Sequence, residues 1–299
     1  MSHMISRKHY YDDLVYTAAI FQALEIWATT GINLTADEYS YFMQSSNDEP
    51  TDELLKLIAD FSIIFKNLDE IDESDPNACQ SLLSQCLSHE ANVMAWYAWR
   101  KNTIGGSPRT CSPDEIQSSG LSMDPIFGTP YSFSSLDNAR LHVLFWIAMS
   151  MTQRLISKAR SYTYQFSAED GSGNKEYLLA EFFADEISRA IPYCFKDCTN
   201  LWNTHIVSMG VGQICKVYTD HQNYRKFLWG QQAYGIIANL GHELATRLSE
   251  VFWQRWNAAE EAAASSGANP INYLSLRPGF PHEKSLSRKM PLRFKWPEQ

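Results

Sequence analysis

Apolar residues recur at three- and four-residue spacing along most of the chain, and this period predicts helices. The pattern is densest between residues 180 and 256, where Trp229, Leu240 and Phe252 fall on one broad apolar face. We predict that a final long helix begins near Asn223 and turns this face toward the core. Because such a helix needs other helices to cover it, the predicted fold class is all-α, a multi-helix bundle with two long C-terminal helices.

Capping residues, prolines and glycines set the ends of the other predicted helices. Thr35 and Glu38 have the spacing of a capping box. Pro192 is expected to stop or kink a helix that starts near residue 175, and Gly210 is expected to allow close helix contact. No segment alternates in the manner of a strand, so no sheet is predicted. The remaining predicted helices cover residues 7–30, 35–44, 54–68, 77–101, 136–166 and 201–221.

Clusters of proline, glycine and serine interrupt the helical period and divide the chain. We predict an N-terminal helical half over residues 5–102, an irregular loop over 103–133 and a C-terminal helical half over 134–264. Residues 265–299 are predicted to form an irregular basic tail, and residues 1–4 have the character of a vector-derived start. A chain of 299 residues can bury one large core, so we expect one compact domain overall.

Composition mainly excludes classes of function. A net charge of −9 opposes phosphate, which argues against nonspecific nucleic-acid binding. No apolar run approaches the roughly 20 residues of a membrane span. No secretory signal precedes the cysteines, so we expect reduced core thiols in an intracellular protein, nuclear or cytoplasmic. Cys194 and Cys198 lack the further ligands of a closed zinc site, and neither a metal nor a cofactor is predicted.

The chain is rich in aromatic residues, with nine Trp and fifteen each of Tyr and Phe. This surplus is typical of a large helical core, and it also suits an apolar ligand cavity with a few polar groups. Asp185 is expected to form a surface ion pair with Arg189, four residues further on. If the chain is an enzyme, its candidates for proton transfer are His142, His205, His242 and Asp185. The predicted ligand-binding residues are Trp146, Tyr162, Tyr164, Trp202, His205, Tyr218, Trp229, Tyr234 and His242.

The C-terminal half also resembles a known family. The resemblance is carried by ARLHVLFWIAMSMTQRLI (139–156), EFFADEISRAIPYC (181–194), SMGVGQICKVY (208–218) and the helix through Trp253 and Trp256. These segments are similar to the C-terminal regulatory region of fungal zinc-cluster transcription factors. The resemblance implies a helical domain, tied to secondary metabolism, that binds apolar small molecules or protein partners and self-associates as a homodimer. The family's DNA-binding module needs a tight array of six cysteines that this sequence lacks, so direct DNA binding is not expected.

Three functions therefore remain open. The first is a regulatory domain that binds an apolar small molecule, a protein partner or both. The second is an enzyme of the cyclase or isomerase type, using proton transfer on an apolar natural product. The third is a helical scaffold without a ligand. A buried polar pair with shifted pKa values would favour the enzyme, whereas a smooth apolar cavity or a large exposed apolar surface would favour the regulatory domain.

Overall fold

The computed structural model describes residues 22–28, 34–44, 50–100, 106–112, 114–115, 121, 125–164, 173–195 and 201–265. The predicted all-α class is confirmed, because helices make up most of these residues. The predicted vector-derived start and residues 266–299 of the basic tail lie outside the described residues. The helices are α1 (22–28), α2 (Ala36–Gln44), α3 (Pro50–Asp69), α4 (Pro76–Arg100), α5 (Leu136–Tyr164), α6 (Gly173–Cys194), α7 (Leu201–Asp220), α8 (Tyr224–Asn239) and α9 (Glu243–Ser265).

The helix α5 lies at the centre of the bundle and packs on α3, α4, α6 and α7. Gly210 of α7 lies where α5, α6 and α7 come into close contact. A Cβ atom there would lie 3.2 Å from Ile187 of α6 and 3.4 Å from Val143 of α5. This contact confirms the prediction that Gly210 allows close helix packing. The helix α6 continues through Pro192 and ends two residues later at Cys194, so a stop at the proline itself is wrong, while the alternative of a kink there stays a prediction.

The capping box predicted at the start of α2 is confirmed. The backbone N–H of Thr35 donates to Glu38 Oε2 at 2.7 Å, and the N–H of Glu38 donates to Thr35 Oγ1 at 3.3 Å. These bonds satisfy N–H groups that have no partner inside the helix. Asn223 caps α8 as predicted, because its side chain accepts from the N–H of Lys226.

The predicted final helix is two helices, α8 and α9, separated by a tight turn at Gly241. This glycine has φ of +94°, a left-handed conformation that a side chain would strain. Its N–H donates to the carbonyl of Ala238 at 2.9 Å, and the N–H of His242 donates to that of Ile237 at 3.3 Å. This pair of bonds is the Schellman motif that ends many helices. The prediction of one continuous helix is wrong because the apolar period continues on both sides of the turn.

The turn between α7 and α8 has the same pattern around Gln222, which has φ of +52°. Its N–H donates to the carbonyl of Thr219 at 3.0 Å, and the N–H of Asn223 donates to that of Tyr218 at 2.8 Å. The chain therefore reverses between α7 and α8, and the tyrosine Tyr234 of α8 donates to the carbonyl of Ser208 near the other end of α7 at 3.2 Å. We call α7 and α8 together the α7–α8 hairpin.

The predicted irregular loop contains a small antiparallel sheet of β1 (Arg109–Thr110) and β2 (Tyr131–Ser132), and a 3₁₀ turn lies between them at Pro125–Phe127. The expectation of no strand is wrong here, because two-residue strands are too short to show alternation. Tyr131 donates to Glu186 of α6 at 2.7 Å, and Arg189 of α6 donates to the carbonyl of Thr129 at 2.7 Å. These bonds fasten the segment to α6.

None of the described cysteines is in a disulfide, and all are buried, as predicted for core thiols; Cys198 lies outside the described residues. Burial raises the pKa of Cys86 to about 11, which keeps this thiol protonated and unreactive at neutral pH. Among the helices of the described residues, none combines the length and apolarity that crossing a membrane requires.

Candidate functional site

Three side chains from distant parts of the sequence meet at the end of the hairpin where α7 begins. Glu25 of α1 lies between His205 of α7 and His242 of the α8–α9 turn. The distance from Glu25 Oε2 to His205 Nδ1 is 2.6 Å, and that from Oε1 to His242 Nε2 is 3.3 Å. The two imidazole rings meet edge to face with centroids 4.8 Å apart. One carboxylate therefore bridges two imidazoles, and we call these three residues the Glu–His–His cluster.

The carboxylate of this cluster is 1% exposed. Burial alone would raise the pKa of Glu25, but hydrogen bonds from His205 and His242, together with their charges, outweigh burial and lower it. Glu25 is therefore ionised at neutral pH, with imidazole N–H groups facing its two oxygens. Within the described residues, this is the one place where at least three metal-ligating side chains converge.

The position of α1 is fixed by polar groups of α7. Gln213 Nε2 and Lys216 Nζ both donate to the carbonyl of Ala28, the latter at 2.7 Å. Burial lowers the pKa of Lys216 well below its usual value, and the nearby Arg154 adds to this effect. Because Ala28 lies one turn beyond Glu25, these bonds also hold the carboxylate against α7.

A second polar cluster lies at the opposite end of the hairpin, and we call it the lysine–carboxylate network. Nζ of Lys226, in the first turn of α8, lies 2.7 Å from Glu181 Oε1 and 2.7 Å from Asp185 Oδ2. Tyr218 of α7 donates to Asp185 Oδ1 at 2.9 Å. Nδ1 of His221 lies 2.9 Å from Glu181 Oε2. The network thus ties α6 to both helices of the hairpin.

The two carboxylates of this network titrate in opposite directions. Hydrogen bonding to His221 and to Lys226 lowers the pKa of Glu181 to about 2, despite its partial burial. Burial raises the pKa of Asp185, although Lys226 and Tyr218 oppose the effect. Burial also raises the pKa of Tyr218 well above its usual value, so this hydroxyl keeps its proton.

The ion pair predicted between Asp185 and Arg189 is wrong. Arg189 pairs instead with Glu186 at 2.7 Å. Asp185 points toward α8, where the ammonium of Lys226 provides a partner in a less exposed position. The four-residue spacing on α6 did not predict the partner of Asp185, because the competing cation comes from another helix.

A cleft of about 330 Å³ opens beside the lysine–carboxylate network, between α3, α5, α6 and the end of α7. The α3 side of the cleft is apolar, and the rest of its lining consists of cationic, hydroxyl, carboxylate and imidazole side chains together with two further apolar ones. Its lining residues are Phe65, Leu68, Arg154, Leu155, Ser157, Lys158, Ser161, Tyr177, Ala180, Asp220 and His221.

The polar side of the cleft is held in place by its own contacts. Arg154 forms an ion pair with Asp220 at 2.7 Å. Tyr177 stacks on His221 with ring centroids 3.4 Å apart and donates to the carbonyl of Asp220 at 3.0 Å. Burial, aided by the nearby carboxylates, raises the pKa of Tyr177 to about 12, so it remains a hydrogen-bond donor.

Lys158 supplies the positive charge that the cleft does not neutralise. Its Nζ lies 4.8 Å from the ring centroid of Tyr162, within the range of a cation–π contact. No carboxylate in the described part of the chain pairs with it, whereas Arg154 is already paired. The cleft therefore presents an apolar wall and one accessible ammonium.

The predicted site residues lie in several separate places. His205 and His242 lie together in the Glu–His–His cluster, and Tyr218 lies with Asp185 in the network. Nε2 of His142 lies 3.0 Å from the carbonyl of Gly106, and its ring lies 5.4 Å from that of Trp146. Trp229 packs on Phe127, Tyr234 on Phe252 and Tyr162 under Lys158. The side chains of Tyr164 and Trp202 lie outside the described set.

Sequence reasoning missed Glu25, Glu181, Lys226, Lys158 and Tyr177. One signal was available for Glu25: it falls between Leu24 and Ile26, inside an apolar helical run. A carboxylate in that position must be paired when the helix is buried. Its partners lie 180 and 217 residues away in the sequence, so no local spacing identifies them.

Comparisons with protein-family models, with curated proteins and with solved structures find no match to this chain. The geometry of the cleft and of the two polar clusters is therefore the basis for a functional assignment.

Proposed function

We propose that this chain is a helical ligand-binding domain of the regulatory type. Its ligand is a small amphiphilic molecule with an anionic group, bound in the cleft between α3, α5, α6 and α7. The observation that supports this proposal is the pairing of an apolar wall with the ammonium of Lys158. Ligand sites commonly combine apolar linings with a few polar groups that orient the ligand. The charge refines the sequence-based expectation of a purely apolar ligand.

The regulatory part of the proposal is supported by what adjoins the cleft. Tyr177 and His221 line the cleft, and His221 also contacts Glu181, which binds Lys226 of α8. A ligand that separates the stacked rings would change the partners of Glu181 and so the packing of α8 on α6. In the proposed role, a protein partner or a second copy of the chain binds differently when the packing of α8 on α6 changes, and this binding takes place in the nucleus or the cytoplasm.

Binding can be tested with 1-anilinonaphthalene-8-sulfonate, whose aromatic rings and sulfonate match the two sides of the cleft. We expect saturable binding to the folded protein and roughly tenfold weaker binding to Lys158→Met, because one charge-assisted contact is lost. Arg247→Met on α9 is the matched control, since it removes the same charge from a helix with no lining residue. The uncharged N-phenyl-1-naphthylamine should bind the parent protein and Lys158→Met equally. Sulfonate binding that ignores Lys158→Met would contradict the proposal.

The alternative is an enzyme that acts by proton transfer on an apolar natural product. It is supported by Asp185 and Tyr218, which lie at hydrogen-bond distance and have raised pKa values. Both groups are already bonded to other protein atoms, which favours the binding role. Incubating a retained metabolite with the protein separates the two: a changed mass of the metabolite would mean turnover, and an unchanged mass would mean binding alone.

A further inference from the structure

The Glu–His–His cluster has the donors of a metal site. One carboxylate oxygen of Glu25, one ring nitrogen of His205 and one ring nitrogen of His242 lie within 4.8 Å of one another. Donor atoms around a tetrahedral Zn²⁺ ion, at about 2.0–2.2 Å from it, are separated by about 3.3 Å. The present separations of 2.6 and 3.3 Å from the carboxylate need only small side-chain movements to reach this arrangement. We propose that these three residues bind a divalent transition-metal ion, with Zn²⁺ as the best match.

The chemistry of the donors fits an ion of this kind. A neutral imidazole carries one N–H and one lone pair, so each ring can turn a lone pair toward an ion once its proton moves to the other nitrogen or to solvent. The carboxylate of Glu25 contributes a negative charge and lies against both imidazoles. Imidazole nitrogen and carboxylate oxygen are both ligands that Zn²⁺ accepts.

Three protein ligands leave one position of a tetrahedral ion open. Such sites hold water or a small donor molecule at the fourth position, whereas structural zinc sites have four protein ligands. Each of the three residues is held by its own backbone element: α1 is bound to α7 through Ala28, and the Schellman turn at Gly241 orients His242. The site is therefore organised before an ion arrives.

The carboxylate–imidazole pair at the other end of the hairpin is less suited to binding a metal ion. His221 and Glu181 lie 2.9 Å apart, but the ammonium of Lys226 binds the same carboxylate at 2.7 Å. A permanent positive charge in that position repels a metal cation. Of these two clusters, metal binding is accordingly assigned to the one formed by Glu25, His205 and His242.

The test is titration of the chelator-treated full chain with Zn²⁺ and, in parallel, with Co²⁺, whose visible absorption reports coordination. We expect one ion per chain, and at least tenfold weaker binding in Glu25→Gln, His205→Asn and His242→Gln. His89→Gln is the matched control, because His89 is a buried histidine of α4 outside the cluster. It should bind as the parent protein does. The chain has eight histidines, so binding that is unchanged in Glu25→Gln would mean that other histidines hold the ion and would overturn the proposal.

A measurement on the unaltered protein tests the metal site even if the variants fail to fold. X-ray absorption of the Zn²⁺-loaded chain should give two imidazoles and one or two oxygen donors at about 2.0–2.2 Å. Thiolate ligands, or a shell of oxygen donors only, would overturn the assignment. The metal site does not depend on the proposed ligand cleft: Lys158→Met should bind Zn²⁺ as the parent protein does.

Discussion

The α7–α8 hairpin carries a carboxylate cluster at each end, and the two clusters differ in what compensates the negative charge. At one end, Lys226 binds both Glu181 and Asp185. At the other end, two imidazoles face Glu25. An ammonium has three donors and no lone pair, whereas an imidazole can exchange an N–H for a lone pair. The first cluster is therefore suited to joining helices, and the second can in addition accept a cation.

The α7–α8 turn and the α8–α9 turn have the same backbone hydrogen-bond pattern, but the residue that follows each turn has a different role. In the α7–α8 turn, the residue after the left-handed Gln222 is Asn223, which caps α8 and directs Lys226 toward α6. In the α8–α9 turn, the residue after Gly241 is His242, which joins Glu25. The residue that follows the left-handed position therefore differs in role between the two turns. Asn223 caps a helix, whereas His242 contributes an imidazole to the Glu–His–His cluster.

The largest effect is expected from Lys226→Met, which removes the only lysine of the lysine–carboxylate network. Two partly buried carboxylates would then lose their common cation, and we expect a loss of about 3 kcal/mol in the free energy of unfolding. Urea denaturation at neutral pH measures this loss. Arg247→Met breaks an exposed pair with Glu250 and should cost less than about 1 kcal/mol. Equal effects of the two variants would mean that the network does not join the helices as described.

The middle of the hairpin can be tested with two glycines of the same helix. A Cβ at Gly230 would lie 2.7 Å from Cys215 Sγ, whereas a Cβ at Gly235 would meet no atom within 4 Å. Gly230→Ala should therefore cost about 1–3 kcal/mol by forcing α7 and α8 apart. Gly235→Ala should stabilise the protein by up to about 1 kcal/mol, because alanine favours helix. The free energies of unfolding can be measured by chemical denaturation. If both variants were more stable than the parent protein, or both less stable, this packing would be contradicted.

A histidine outside both clusters, His89, sharpens the comparison, because its imidazole is buried and no hydrogen bond or ion pair to a carboxylate is found among the described residues. Burial lowers the pKa of His89 from 6.5 to about 4. Between these values the unfolded chain binds more protons than the folded one, so stability is lost as pH falls. The loss from about pH 7 to about pH 5 should reach about 2 kcal/mol.

The measurement is the pH dependence of the unfolding free energy in the parent protein and in His89→Gln. The variant lacks a titratable group at this position, so its stability should fall by about 2 kcal/mol less over the same pH range. Parallel curves for the two proteins would rule out a depressed pKa at His89.

The sequence predicted the helices well because apolar residues on a 3.6-residue period are a local signal. It also identified the caps at Thr35 and Asn223, which depend on residues within one turn. It failed at Gly241, where the period runs unbroken through a turn; a glycine followed by a polar residue was the available sign of a helix end. The two-residue strands carried no signal of their own.

The site was less predictable because its contacts join distant helices. His205 and His242 were identified as candidates, but their common partner Glu25 lies 180 residues from the first of them. Asp185 was given a local partner on its own helix, while the structure pairs it with Lys226, 41 residues further along. Periodicity tells which face of a helix is buried, and it does not tell which buried faces meet.

Native mass spectrometry of the full chain, with Zn²⁺ and 1-anilinonaphthalene-8-sulfonate added together, tests most directly whether the two ends of the molecule bind separately. Two mass increments are expected for the parent protein, one ion and one sulfonate. Glu25→Gln should lose the ion alone, and Lys158→Met should lose the sulfonate alone. A native mass equal to the denatured mass, or the loss of both increments in either folded variant, would contradict two independent sites.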